Sequence, residues 1–222
     1  MLAGFVSFPA AAQVVAPPIK TFPAKAQAPF AGEIAAFEAA DAIAKPPPGG
    51  VLFLGSSSIR FWSTLIEDFP GVPVINRGFG GSMIADSLHY ADRIVLPYAP
   101  RTIVFYAGDN DIAAGHAPAR ILADFQALVA HIHARLPATR ILFISIKPSL
   151  LRWAMIDRIR ETNRLVRAYT ATSPHLGFID IAPEMLGPDG RPRPELFRPD
   201  RLHMTRAGYT IWRDAVAPYL RP

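Results

Sequence analysis

The chain has 222 residues, 50% of them hydrophobic and 18% charged, which is enough for one domain with a sizeable core and excludes a disordered or fibrous protein. The formal charge is +5, but the basic residues are scattered, with no block of five like charges and no basic run interleaved with aromatics, so nucleic acid is excluded as a partner. There is no cysteine, which removes disulfides, thiolate nucleophiles and cysteine zinc sites, and no apolar run reaches the roughly 18–20 residues that span a bilayer.

Residues 2–12 are apolar and end in Ala10-Ala11-Ala12, a pattern like the end of a signal peptide, although the basic region that would precede it is missing. Export to the periplasm or outside is the expectation. Residues 13–32 are proline-rich and read as an arm or linker, leaving a single domain over 33–222. Within 33–45, Ile34, Phe37, Ala40 and Ala44 repeat at helical spacing until Pro46-Pro47-Pro48 stops the pattern.

Val51 to Gly55 reads as a buried strand, followed by Ser56-Ser57-Ser58 and a helix carrying Phe61, Trp62 and Leu65. Further strands are expected over 72–77, 102–107, 140–146 and 178–181, with helices over 118–136, 155–170 and 205–220. Strands and helices alternate, and the strands are near-continuous apolar runs. That pattern implies a parallel sheet covered by helices on both faces, joined by right-handed crossovers.

Three strands end in small or polar clusters: Gly55-Ser56-Ser57, Gly80-Gly81 and Gly108-Asp109-Asn110. In a parallel sheet these ends share one edge and so converge on one site. A serine nucleophile needs a base, a group that orients the base, and donors for an oxyanion. Ser57 and Gly81 offer backbone N–H groups and Asn110 an amide, while Asp200 stands three residues before His203, so that in a turn the two meet. Each cluster alone also reads as turn or cap chemistry. A second Asp-x-x-His, Asp86 to His89, falls in a helical segment where such a pair is ordinary surface chemistry. His131 and His133 sit two apart on a helix and face different ways, so no metal site is expected from them.

In this order the blocks resemble the SGNH hydrolases, or GDSL esterase/lipase family, from about residue 51 to 219. The family's Gly-Asp-Ser block matches Gly55-Ser56-Ser57. Its second-block glycine falls on Gly81 in Asn76-Arg77-Gly78-Phe79-Gly80-Gly81. Its Gly-x-Asn-Asp block matches Gly108-Asp109-Asn110-Asp111, and its Asp-x-x-His block matches Asp200 and His203, followed by Gly208-Tyr209. Two positions depart: Ser56 stands for the first-block aspartate, and Arg201 where a small residue is common.

The resemblance implies a flavodoxin-like three-layer α/β/α sandwich of about five parallel strands. It implies a serine esterase without cofactor, with Ser57, Asp200 and His203 catalytic and an oxyanion hole from Ser57, Gly81 and Asn110. Lys147, Arg152, Trp153 and Arg201 are candidate substrate-pocket residues, though Trp153 fits a core position equally well and Arg152 a solvated one. The expected partner is a small-molecule ester, acetyl above all, because no long apolar lid segment appears. Lysophospholipid or O-acetylated carbohydrate substrates fit the same family. Oligomeric state is not readable. From other classes, a metal-dependent phosphoesterase is suggested by Asp109-Asn110-Asp111 but lacks a clustered ligand set. A catalytically weak binding module is kept open by Ser56 and Arg201.

Overall fold

The computed structural model describes residues 29–220, so the signal-like segment and most of the proline-rich arm lie outside it. Five short runs rich in β-branched and aromatic residues form the strands β1 (Val51–Gly55), β2 (Val74–Gly78), β3 (Thr102–Tyr106), β4 (Arg140–Ile144) and β5 (Leu176–Ile179). All pair in parallel, in the order β2-β1-β3-β4-β5. The chain order reverses between β1 and β3, and open α/β sheets place their ligand crevices beyond the strand ends at such a point.

Alternation along the strands divides the core into two layers. Leu52, Leu54, Ile103, Phe105, Ile141 and Phe143 face one layer with Ile34, Ile84, Phe125 and Ile159. Val51, Phe53, Val104, Tyr106, Leu142 and Ile144 face the other with Trp62, Tyr209, Trp212 and Val216. Helices therefore cover both faces: α1 (Ala31–Ile43) belongs to the first, as do α4 (Ile84–Ile94), α6 (Pro118–His133) and α7 (Ile156–Thr170), and α8 (Arg206–Leu220) belongs to the second. In α6, Pro118 occupies the first turn, where its missing N–H costs nothing, and Ile121, Phe125, Leu128 and Ile132 form the buried stripe.

Three local expectations change. The segment after β1 is two four-residue helices, α2 (Ser57–Arg60) and α3 (Leu65–Asp68), rather than one. The break lets Trp62 enter the core against Phe53 and Trp212 and donate from Nε1 to Asp68 Oδ2 at 2.6 Å. Asp109-Asn110-Asp111, readable as a turn, opens a short helix, α5 (Asp109–Ala113). The first helix also begins at Ala31, inside the stretch read as an arm.

Gly55 shows why β1 ends as it does. Its φ is +145°, and a Cβ there would lie 1.9 Å from the Tyr106 carbonyl oxygen of β3. Only glycine lets the strands stay this close while the chain turns out of the sheet into the serines.

Candidate active site

Burial separates the three serines. Ser56 and Ser58 are 0% and 1% exposed, whereas Ser57 is partly accessible at the first position of α2. Backbone bonds hold the turn: Ser56 N–H donates to Tyr106 O at 3.0 Å, and Ser56 O accepts from Ile59 and Arg60. Ser58 is tied down by the Tyr209 hydroxyl, which donates to its carbonyl at 2.9 Å.

His203 Nε2 lies 2.9 Å from Ser57 Oγ, and its Nδ1 lies 2.7 Å from Asp200 Oδ2. An ionised carboxylate only accepts, so Nδ1 carries the proton and Nε2 is left to accept from the Ser57 hydroxyl. The other Asp200 oxygen takes the Leu202 and His203 N–H groups, both at 2.9 Å. Burial pushes the Asp200 carboxyl up, but these N–H donors and the His203 ring outweigh it and bring it to about 2. This tight turn requires Arg201 at φ 62°. A left-handed residue with a side chain costs roughly 1–2 kcal/mol. Backbone bonds to Arg198 O (2.8 Å) and from Leu151 N–H (3.0 Å) hold it there. Phe61 packs against the His203 ring in a T-shaped contact, centroids 4.8 Å apart.

The other side of Ser57 is built by the ends of β2 and β3. Gly81 is exposed at φ +73° with open space where a Cβ would stand. No acceptor among the described residues meets the Gly81 or Ser57 N–H. Asn110 Nδ2 donates to Ser82 O at 3.0 Å, leaving its second N–H. Ser82 is itself buried, and its Oγ donates to Phe79 O at 3.1 Å. Three strand ends thus bring Ser57, Gly81 and Asn110 to one edge, and the 200–203 turn adds the imidazole.

The model of the GDSL-like lipase/acylhydrolase family matches residues 49–211. The chain belongs to that family. Human platelet-activating factor acetylhydrolase IB subunit alpha1 is 28% identical over 173 residues, covering 72% of this chain and 70% of its own. Among solved structures, a GDSL-like lipase from Bacteroides thetaiotaomicron shares the fold at a TM-score of 0.71 and 19% identity, covering 84% of this chain and 96% of its own. A Clostridium thermocellum family 3 carbohydrate esterase does so at 0.61 and 13%, covering 77% and 96%. As a GDSL hydrolase the chain is a carboxylic ester hydrolase acting on small-molecule esters.

Around this GDSL site the four candidate pocket residues divide. Lys147 does not line a mouth: it is 1% exposed, and its Nζ lies within hydrogen-bond distance of Ser58 Oγ (3.1 Å), Tyr106 OH (2.9 Å) and Asp109 Oδ2 (3.0 Å). A buried ammonium keeps its proton only with such partners. Burial pulls Lys147 below the ordinary range and Asp109 opposes that. Asp109 in turn is pushed up by burial but held below its usual value by Lys147 and Arg152. Arg152 also turns inward, with its side chain 12% exposed and Nη1 3.1 Å from Asp109 Oδ2. Trp153 is half-buried where the chain enters α7, and Arg201 is exposed. The sequence reading placed Asp109 in a strand-end cluster but gave it no part in the esterase site. Its signal is an acid between Gly108 and Asn110 facing a lysine just past β4.

The helical Asp86 carboxylate accepts the Met83 N–H at 2.9 Å at the start of α4. His131 and His133 turn to different partners, Asp92 Oδ1 (2.7 Å) and Thr139 O (2.9 Å). Among the described residues, Asp111, His116 and Asp124 each bring one donor atom within 4.8 Å of the others. Arg120 Nε already sits 2.9 and 3.0 Å from the two Asp124 oxygens, so a cation is in place beside that carboxylate. A cleft of about 690 Å³ opens beside the 149–152 loop, lined by Leu150, Leu186, Pro188, Arg191, Arg193 and Glu195.

Proposed function

We propose that the protein hydrolyses short-acyl carboxylic esters, acetyl esters above all, through an acyl-enzyme on Ser57. The observation that carries this is the continuous chain Ser57 Oγ–His203–Asp200, with both links at hydrogen-bond length. His203 Nε2 takes the hydroxyl proton as Ser57 Oγ attacks the ester carbonyl carbon. The carbonyl oxygen becomes an oxyanion, received by the Ser57 and Gly81 N–H groups and the remaining Asn110 N–H. Collapse breaks the bond to the alcohol oxygen, which leaves with the proton from His203 Nε2. Water, deprotonated by the same nitrogen, then attacks the acyl carbon and releases the acid and free Ser57. Asp200 holds the tautomer and stabilises the imidazolium throughout.

The acetyl preference rests on the 28% identical relatives, which are named acetylhydrolases, and on the charged residues packed behind the site. The alcohol portion is assigned to the cleft beside Leu150, because the next residue, Leu151, is bonded to Arg201 within the 200–203 turn.

Rates on p-nitrophenyl esters of increasing chain length, with acetylated sugars and lysophospholipids alongside, test the substrate class. The acetyl ester is expected to be fastest, and a maximum at eight carbons or more would refute the short-acyl claim. Ser57→Ala is expected to lose at least about 10⁴-fold in kcat. Retention of full activity in that variant would remove Ser57 as the nucleophile.

A further inference from the structure

Asn110 is held at both ends of its amide. Nδ2 donates to Ser82 O at 3.0 Å, and Oδ1 accepts from Arg152 Nη2 at 2.8 Å. A carbonyl only accepts and a guanidinium only donates, so the pair admits one orientation of the amide. Arg152 is fixed in turn: its Nη1 faces Asp109 Oδ2 at 3.1 Å, and its backbone N–H reaches Ser149 Oγ at 3.3 Å. The same Asp109 oxygen is shared with the buried Lys147. Two cationic side chains therefore converge on one carboxylate, and Arg152 is the one that touches Asn110.

We infer that Arg152 is a positioning residue for the oxyanion: it locks the Asn110 amide with its free N–H toward the reacting carbonyl. The inference rests on the esterase reading above. A guanidinium stays charged at any working pH and donates in a rigid fork, which suits it to bridge a carboxylate and an amide oxygen. Donation to Oδ1 polarises the amide and strengthens its N–H as a donor. A donor held in place before reaction stabilises charge that develops only in the transition state. Its loss is therefore read in kcat and leaves KM nearly unchanged.

The experiment compares kcat and KM on p-nitrophenyl acetate for wild type, Arg152→Met, Asn110→Ala and the double variant, with folding checked by circular dichroism. Arg152→Met is expected to lower kcat by about 10–10² at nearly constant KM, less than the roughly 10²–10³ for removing an oxyanion donor outright. In the Asn110→Ala background the same change is expected to cost less than about twofold, because the group it positions is gone. A rise in KM at wild-type kcat, or an equal loss in both backgrounds, would overturn the inference.

Should Arg152→Met not fold, Arg152→Lys keeps a cation against Asp109 but cannot bridge both partners. It is expected to lose kcat several-fold in wild type and little in Asn110→Ala, and wild-type kcat would refute the role. Failure of the esterase reading is separate: wild type would then neither hydrolyse the ester nor be labelled by an organophosphonate at Ser57, before any Arg152 variant is compared.

Discussion

Three adjacent serines differ in what surrounds them more than in what they are. Ser57 reaches His203, Ser58 is fixed in the core by Lys147 and Tyr209, and Ser56 is buried with a hydroxyl that meets no partner among the described residues. Ser56 also occupies the place where the family has aspartate. The turn is held by Ser56 backbone atoms, bonded to Tyr106, Ile59 and Arg60, so its side chain is dispensable to that geometry. An unpaired buried hydroxyl costs roughly 1–3 kcal/mol. Ser56→Ala is therefore expected to leave kcat within a few-fold of wild type and to raise the melting temperature by several degrees. A fall in melting temperature would show that the hydroxyl has a partner, such as a bound water.

The element scale is where sequence and structure part in places. Parallel strands buried on both faces leave unbroken apolar runs, and that is why β1, β3 and β4 were recognisable, while the half-buried edge strands β2 and β5 showed only in outline. Helices such as α6 showed their stripe in the same way. The Ser57, Gly81, Asn110 and Asp200/His203 blocks stood out by their order and by the shared edge of three strand ends, since each alone reads as turn or cap chemistry. Lys147 misled because a lysine after an apolar strand reads the same whether it points to solvent or to an acid 38 residues away. The break after Arg60 was hidden because Trp62 suits either a helix or a core insertion.

Helix α5 carries a further consequence. Burial, with Asp109 and Asp124 adding negative charge, pushes the Asp111 carboxyl up to about 7, against the Ile84 N–H that lowers it. His116 Nδ1 stands 4.0 Å away, and Arg120 sits on Asp124. A folded value above the ordinary 3.8 means that, between those two values, the folded state holds a proton the unfolded state has released. Stability from this group is present below pH 4 and is lost as pH rises toward 7, by on the order of 4 kcal/mol at most. Urea unfolding at pH 4, 5.5 and 7 is expected to show a decline for wild type that is flatter in Asp111→Asn. Identical slopes would show that the carboxyl ionises normally.

At the scale of the whole molecule, the family match begins at residue 49, yet α1 lies before it and reaches the site. Glu33 accepts the Gly80 N–H at 3.2 Å and pairs with Arg60 at 3.0 Å, beside the glycine that supplies an oxyanion donor in the proposed mechanism. Asp41 bonds Arg77 at 2.6 Å and the Tyr98 hydroxyl, and Phe30 packs edge-on against Phe79 at 5.2 Å. The helix is thus anchored to β2, to the loop that follows it and to the chain ahead of β3, bracing the Gly80-Gly81 turn from outside. Small displacements of an oxyanion donor are costly in rate, whereas one partly exposed carboxylate contributes little to global stability. Glu33→Ala is therefore expected to lower kcat several-fold on p-nitrophenyl acetate with KM nearly constant, while the melting temperature moves by only about 2–4 °C. Wild-type kcat in that variant would show that the turn holds its shape without the helix. A fall in kcat matched by general unfolding would instead make the Glu33 contacts a support of the whole fold.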